Sequence, residues 1–460
     1  MMIRFGHIVL RHGCASTPNF EQLGVTGLRV GMAVSVGGIA YVIVLFLFSL
    51  VGTIVCLAPA LPLLFAAPVL YAKWCNLIEY LYFTFCACMI RLLLGTRMEV
   101  HGDASAIHHD LVNSLVISNH RYAHMWVASA TCWNRCNRRC KLMIFYATHS
   151  TRMDWMFLWL YFGGCKGWLL GSLRIVLKWG LKKVPGFGWG CQMFGFLFLR
   201  RVWAKDQVCT LAAPACATHH LVLSVAHLAR CVFAIQEHIG HYIATLEQQR
   251  SPYALLLFPE GTDLSDENKQ RGHVFAESRG LQLYNYVLHP RVAGFCSLVE
   301  GLRPSMRQLV DLTMAYDGPI PSTEKAFVSG GMPTTIHVLV RVYDTASLPK
   351  ERSGLDAWCR ARFAEKEALL QQFYASRQRG ESLEKAPWGT GKSHSPSWAE
   401  MALATLFWAA IAVWCVHTAW SWPRVCLTYI AVAITTHVTG TLSGGWDVLE
   451  TRRAVARAST

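Results

Sequence analysis

The sequence predicts an α/β fold, a mostly parallel sheet covered by helices, held between two membrane segments. Three observations carry this expectation. Short apolar runs at 114–118, 193–199, 254–258 and 335–343 read as strands, and helical patterns such as Trp155–Leu170 and Leu169–Lys183 lie between them. Alternation of this kind implies parallel strands with helices over both faces. No Asp, Glu, Lys or Arg occurs in the 43 residues between Arg29 and Lys73. Residues 401–423 and 425–446 are equally free of charge, with Arg424 alone between them.

Taken in order, residues 1–29 are polar and patternless and are expected to be disordered. The apolar stretch that follows makes roughly 65 Å of helix, against about 30 Å for a bilayer core. The membrane-embedded region, 30–90, is therefore one span with a surface segment, or a hairpin broken near Pro59 and Pro62. A cleaved signal peptide fits poorly, because the stretch is too long and starts too far into the chain. The α/β domain occupies 91–350. In 351–398 a helix over 355–378, rich in Ala, Glu, Lys and Arg, leads into a Gly, Ser and Pro linker at 380–398. A C-terminal transmembrane hairpin is expected over 399–446, with Trp420, Trp422 and Pro423 forming an aromatic turn at an interface. The basic tail, 447–460, carries Arg452, Arg453 and Arg457, which the positive-inside tendency keeps in the cytosol.

The net charge is +15. Nucleic-acid binding is the usual first thought for such a value, but the basic residues are scattered among Trp, Phe and Leu without a recognisable module. Anionic lipid, or the phosphates of a small substrate, explains them better. The 17 cysteines are dispersed. Cys132, Cys136 and Cys140 stand four apart and lack the second pair or histidines of a zinc site, so no metal is expected there. The domain reads as reduced and cytosol-facing.

Two segments carry chemistry. His149-Ser-Thr-Arg-Met-Asp154 sets a histidine and an aspartate where a strand end turns into a helix. The carboxylate would fix the imidazole tautomer, leaving the other ring nitrogen to take a proton from a hydroxyl. Phe258-Pro-Glu-Gly-Thr262 ends an apolar run, and a helix is expected to open at Ser265 with acidic residues in its first turn. Such a loop offers N–H groups and a hydroxyl to an anion.

These segments, in this order, resemble the glycerolipid acyltransferase family. Gly195-Phe-Leu-Phe-Leu-Arg-Arg201 and Val287-Leu-His-Pro-Arg291 are similar to two further blocks of that family. Val184-Pro-Gly-Phe-Gly-Trp189 and Asp263 after the Glu-Gly-Thr resemble the lysocardiolipin acyltransferase branch. The resemblance spans roughly 30 to 450 and lapses in two 29-residue stretches, 122–150 and 208–236, which hold five basic residues and no acidic one. Removing the first joins Ser118-Asn-His-Arg121 to Thr151-Arg-Met-Asp154 and restores the family spacing. Both stretches are read as retained intervening sequence, the alternative being two lineage-specific surface loops. His120 has the expected strand before it but Met125 where an aspartate is needed. His149 has Asp154 at the required spacing and is taken as the base, with His120 as its rival.

The resemblance implies a membrane-bound enzyme of phospholipid metabolism that moves an acyl chain from acyl-CoA to a lysophospholipid hydroxyl, the acceptor being lysocardiolipin, lysophosphatidylinositol, lysophosphatidylglycerol or lysophosphatidic acid. It implies His149 as general base, Asp154 as its orienter and Arg201 on the lipid phosphate. Glu260, Gly261 and Thr262 would shape the acceptor site, and Pro290 would mark acceptor and acyl-chain contacts. Glu260 acting as a loop brace and Pro290 as a rigid turn are the structural alternatives. The expected partners are acyl-CoA, lysophospholipid and membrane lipids, with no nucleic acid, metal or tightly bound cofactor. The expected location is the endoplasmic reticulum membrane. A catalytically impaired scaffold of the same family is the competing reading; a transporter is disfavoured by the many polar loops in 91–350.

Overall fold

A computed structural model describes residues 35–102, 113–120, 154–165, 169–199, 239–244, 246, 252–319, 331–380, 388–442 and 444–450. The N-terminal segment 1–29, the stretches 122–150 and 208–236, and the basic tail beyond 450 lie outside them, as do His149 and Arg201.

The apolar N-terminal stretch is a helical hairpin. Helix α1 (Val36–Val51) continues through a π-helical turn and a 3₁₀ turn into α2 (Leu61–Ala66), and α3 (Pro68–Leu93) returns. The break falls at Ala67 (φ −146°, ψ 73°) before Pro68, not at Pro59 or Pro62. The residue preceding a proline is driven out of the α region, whereas Pro59 and Pro62 occupy first-turn positions that need no N–H. Tyr82 Oη donates to the Leu45 carbonyl (2.9 Å), and a Cβ on Gly37 would lie 2.2 Å from the Leu93 oxygen, so the two arms pack closely.

Among the described residues, eight strands form one sheet: β1 (Arg97–Gly102), β2 (Ser114–Ser118), β3 (Leu173–Lys178), β4 (Leu197–Leu199), β5 (Ala254–Leu257), β6 (Gln308–Asp317), β7 (Thr335–Asp344) and β8 (Lys392–Ser393). Their order is β4-β3-β5-β2-β6-β7-β1-β8. The β6–β7 and β1–β8 pairs are antiparallel and the other pairings parallel. Strand β2 is buried throughout, as a central parallel strand should be. The expected helix at 169–183 is corrected here: 3₁₀ turns flank β3, whose residues 173–177 are all buried. A short, wholly apolar run has no periodicity to separate helix from strand, and pairing with β4 and β5 decides it.

Helices α4 (Asp154–Gly164), α5 (Phe187–Met193), α6 (Asp266–Glu277), α7 (Val292–Leu302) and α8 (Arg352–Gln378) lie among the described residues of the domain. One apolar core joins α3 and α4 to one face of the sheet, and a second joins α7 and α8 to the other. Alternation along β6 divides its residues between the two: Val310, Leu312, Met314 and Tyr316 enter the first, Leu309 and Ala315 the second. Helix α3 belongs to the fold as much as to any membrane, since Arg174 of β3 donates to Glu79 at 2.7 Å in its buried side.

Helices α9 (Trp398–Ser421) and α10 (Pro423–Leu442) form the C-terminal hairpin, with the break before Pro423. Ser397 and Glu400 close a capping box at its start. Among the described residues, Val36–Ala66, Pro68–Leu93, α9 and α10 are long and apolar enough to cross a membrane.

Candidate active site

The parallel strands β2 and β5 end side by side, and their following residues build the site. The β2–β6 ladder stops at the Ser118 and Leu312 pair. Asn119 then substitutes for backbone: Met314 N–H donates to its Oδ1 (2.8 Å), and its Nδ2 donates to the Met314 carbonyl (3.2 Å). This fixes the backbone that carries His120.

His120 is buried, with its ring stacked on Phe258 at a centroid distance of 3.8 Å. Its Nδ1 lies 3.0 Å from Asp154 Oδ2. An ionised carboxylate only accepts, so Nδ1 carries the hydrogen and Nε2 presents the lone pair. Asp154 is the first residue of α4, where a negative charge is favoured by the helix dipole. Its other oxygen, Oδ1, accepts from Tyr316 Oη at 2.5 Å. His120 is thus held in one tautomer by a carboxylate that is itself held from β6, the strand beside β2.

The β5 loop meets this group through Glu260. Its Oε1 accepts the backbone N–H of His120 (2.9 Å) and its Oε2 the N–H of Leu288 (3.3 Å). Burial pushes the Glu260 carboxyl well above the usual range, against the lowering by these two N–H groups. Both oxygens therefore serve the scaffold, which supports the bracing alternative over direct acceptor contact. Gly261 has φ 69°, a left-handed conformation that favours glycine, and a Cβ there would lie 3.0 Å from Arg291 Cδ. Thr262 Oγ1 donates to Asp263 Oδ1 (3.2 Å) and accepts from Asn268 Nδ2 (3.1 Å). The expected helix start at Ser265 is present as the N-cap of α6, its Oγ accepting from Asn268 N. Pro290 is buried in the neighbouring loop, between Leu288, which donates to Glu260, and Arg291, whose N–H donates to the Pro259 carbonyl at 2.7 Å.

The residues brought together are thus His120, Asp154, Glu260, Gly261 and Thr262, with the Pro290 loop beside them. The choice of His149 changes: Asp154 is engaged by His120, and His149 lies outside the described residues. The five-residue spacing was a misleading guide, because strand-end geometry brings in a partner 34 residues away. Arg201 also lies outside the described residues. Tyr316 escaped the sequence reading entirely. It is an ordinary strand residue, and only pairing of β6 beside β2 aims it at Asp154.

Comparison with known proteins agrees with this architecture. A family model described as "Acyltransferase" matches residues 129–317, and one described as "Acyltransferase C-terminus" matches 326–408. The first match begins past His120, which rests on its hydrogen bond to Asp154 and on the resemblance of Ser118-Asn-His-Arg121. Lysocardiolipin acyltransferase 1 of Danio rerio is 33% identical over 74% of this chain and 72% of its own length. That of Gallus gallus is 34% identical over 74% of each. Lysophosphatidylinositol acyltransferase 10 of Caenorhabditis elegans is 28% identical over 58% of this chain and 63% of its own. The chain is an acyltransferase and belongs to the glycerolipid acyltransferase family, in its lysocardiolipin acyltransferase branch.

Proposed function

We propose that the protein transfers an acyl chain from acyl-CoA to a free hydroxyl of a lysophospholipid, with His120 as the general base. The observation that carries this is the buried His120–Asp154–Tyr316 chain at the end of β2. His120 Nε2 removes the proton of the acceptor hydroxyl as its oxygen attacks the thioester carbonyl carbon. Asp154 stabilises the imidazolium that forms. The carbon–sulfur bond breaks, and the imidazolium returns the proton to the departing CoA thiolate. No acyl-enzyme is needed, and the thioester arrives already activated, so no resident cofactor enters the step. Glu260 and Gly261 hold the neighbouring loop, and Arg201, at the family's arginine block, takes the lipid phosphate through its planar, permanently charged fork.

The named activities of the relatives support lysocardiolipin or lysophosphatidylinositol as acceptor. The apolar hairpins support a membrane location, which the proposal takes as the endoplasmic reticulum. Arg452, Arg453 and Arg457 favour a cytosolic tail and a cytosol-facing catalytic domain.

The test is CoA release, followed with a thiol reagent, by membranes carrying the full chain and given acyl-CoA with each lysophospholipid. Release that requires a lysophospholipid and disappears in His120→Ala is expected. Acceptor-independent release, or none from a correctly inserted protein, contradicts the proposal and leaves the scaffold.

A further inference from the structure

Behind the sheet from Asp154, three side chains with metal-binding atoms converge. Glu99 and His101 stand two apart on β1 and share a face, and the register sets Glu99 beside His337 on β7. His337 in turn pairs with Ala315, next to Tyr316, whose hydroxyl reaches Asp154 from the opposite face. The three ligand atoms all lie within 4.8 Å of one another. His101 Nε2 is 3.0 Å from His337 Nδ1, which is 3.5 Å from Glu99 Oε2. Ligand atoms of a tetrahedral ion with bonds of about 2.0–2.2 Å stand about 3.3–3.6 Å apart, so small shifts would seat one.

The hydrogen bonds around the two rings are in conflict while both rings are neutral. His101 Nδ1 faces the carbonyl oxygens of Trp388 (3.1 Å) and Gly389 (3.2 Å). Carbonyls only accept, so Nδ1 carries the hydrogen and Nε2 aims its lone pair at His337. If His337 Nδ1 supplies the proton between the rings, its buried Nε2 becomes an acceptor with no hydrogen-bond partner, 3.9 Å from the Asp317 carboxylate. A cation between the rings removes the conflict. Both inner nitrogens then present lone pairs, and the outer N–H groups face the Trp388 and Gly389 carbonyls and the Asp317 carboxylate, as in metal-binding histidines generally.

We propose that Glu99, His101 and His337 bind a divalent transition-metal ion of the zinc type, with water as the fourth ligand. Two imidazoles and one carboxylate suit zinc and do not suit calcium or magnesium, which take oxygen donors. The ion has a structural role, since it faces α8 and not the catalytic pair. It ties the β1–β7 edge to the segment that carries Trp388 and β8, which packs so closely that a Cβ on Gly391 would lie 2.9 Å from Glu99 Oε2. No spacing motif announces the site, because His101 and His337 are 236 residues apart.

The full chain in detergent, stripped with EDTA, would be titrated with zinc while its melting temperature is followed. One equivalent should raise the melting temperature of the wild type, and Glu99→Gln should bind zinc at least about tenfold more weakly. Equal melting of the two proteins in EDTA shows that the variant is folded. Cobalt(II) on the wild type should give the visible bands of a tetrahedral nitrogen and oxygen site without thiolate charge-transfer absorption. No zinc-dependent shift in the wild type, unchanged affinity in Glu99→Gln, or a thiolate spectrum from the cysteines alone overturns the proposal. If Glu99→Gln melts lower in EDTA, the cobalt spectrum of the wild type decides by itself.

Discussion

The ends of β2 and β5 lie side by side, yet they are held in opposite ways. The β5 loop is held largely by its own neighbours: Gly261 N–H donates to Phe258, Asn268 binds Thr262 and Asp263, and Ser265 caps α6. The β2 end is held mainly from far along the chain. Asn119 is fixed by Met314, His120 by Asp154 and Glu260, and Asp154 by Tyr316, at separations of 195, 34, 140 and 162 residues. His120 is therefore positioned by the assembled sheet, while the β5 loop keeps its shape locally and lends its carboxylate as a brace. Changes far along the chain should disturb the base, and changes within the β5 loop should act on it mainly through Glu260.

The largest effect that would break this contrast is at Asp154. Asp154→Asn replaces an acceptor with an amide that no longer selects the His120 tautomer, and acyl transfer should fall by about 10²–10⁴-fold. Steady-state rates in membranes with matched protein amounts check this; a near-normal rate would place the base elsewhere.

A smaller loss is expected at Glu260. In Glu260→Gln one carboxylate oxygen becomes an NH₂ group facing either the His120 or the Leu288 N–H. An unsatisfied buried group costs about 1–3 kcal/mol, so the rate should drop about 10–100-fold with little change in lysolipid KM. A rise in KM at constant kcat would instead make Glu260 an acceptor-binding residue and dissolve the difference between the two loops.

The smallest effect belongs to Tyr316→Phe. It removes one hydrogen bond to Asp154 and leaves that to His120 intact, so a loss of about 0.5–1.5 kcal/mol, roughly 2- to 10-fold in kcat, is expected. Rates indistinguishable from wild type would show that α4 alone orients Asp154.

The same contrast explains what could be read from the chain. The β5 loop was legible because its chemistry and its structure share one short segment: an apolar run, Pro259, Glu260, Gly261 and an acidic helix start. Strands β2, β4, β5 and β7 were legible from apolar runs, and α8 from its helical spacing, whereas β1, β3, β6 and β8 were not. Strand β3 looks helical because its Leu, Ile and Val residues are buried without alternation, and its pairing partners lie outside the local sequence. The partner of Asp154 was not legible locally for a related reason. Asp154 stands five residues from His149, which satisfies a local pattern, but its actual partner is supplied by the end of β2. Tyr316 and the cluster of Glu99, His101 and His337 arise only from strand order, which no local pattern encodes.

The central claim is that the base is the histidine at the end of β2, and it is tested most directly by two single substitutions in the full-length protein. His120→Ala and His149→Ala would be compared for acyl-CoA-dependent acylation of a lysophospholipid, with membrane insertion and expression verified for each. The account predicts a loss of about 10²–10⁴-fold for His120→Ala and near wild-type rates for His149→Ala. An active His120→Ala beside a dead His149→Ala would contradict it.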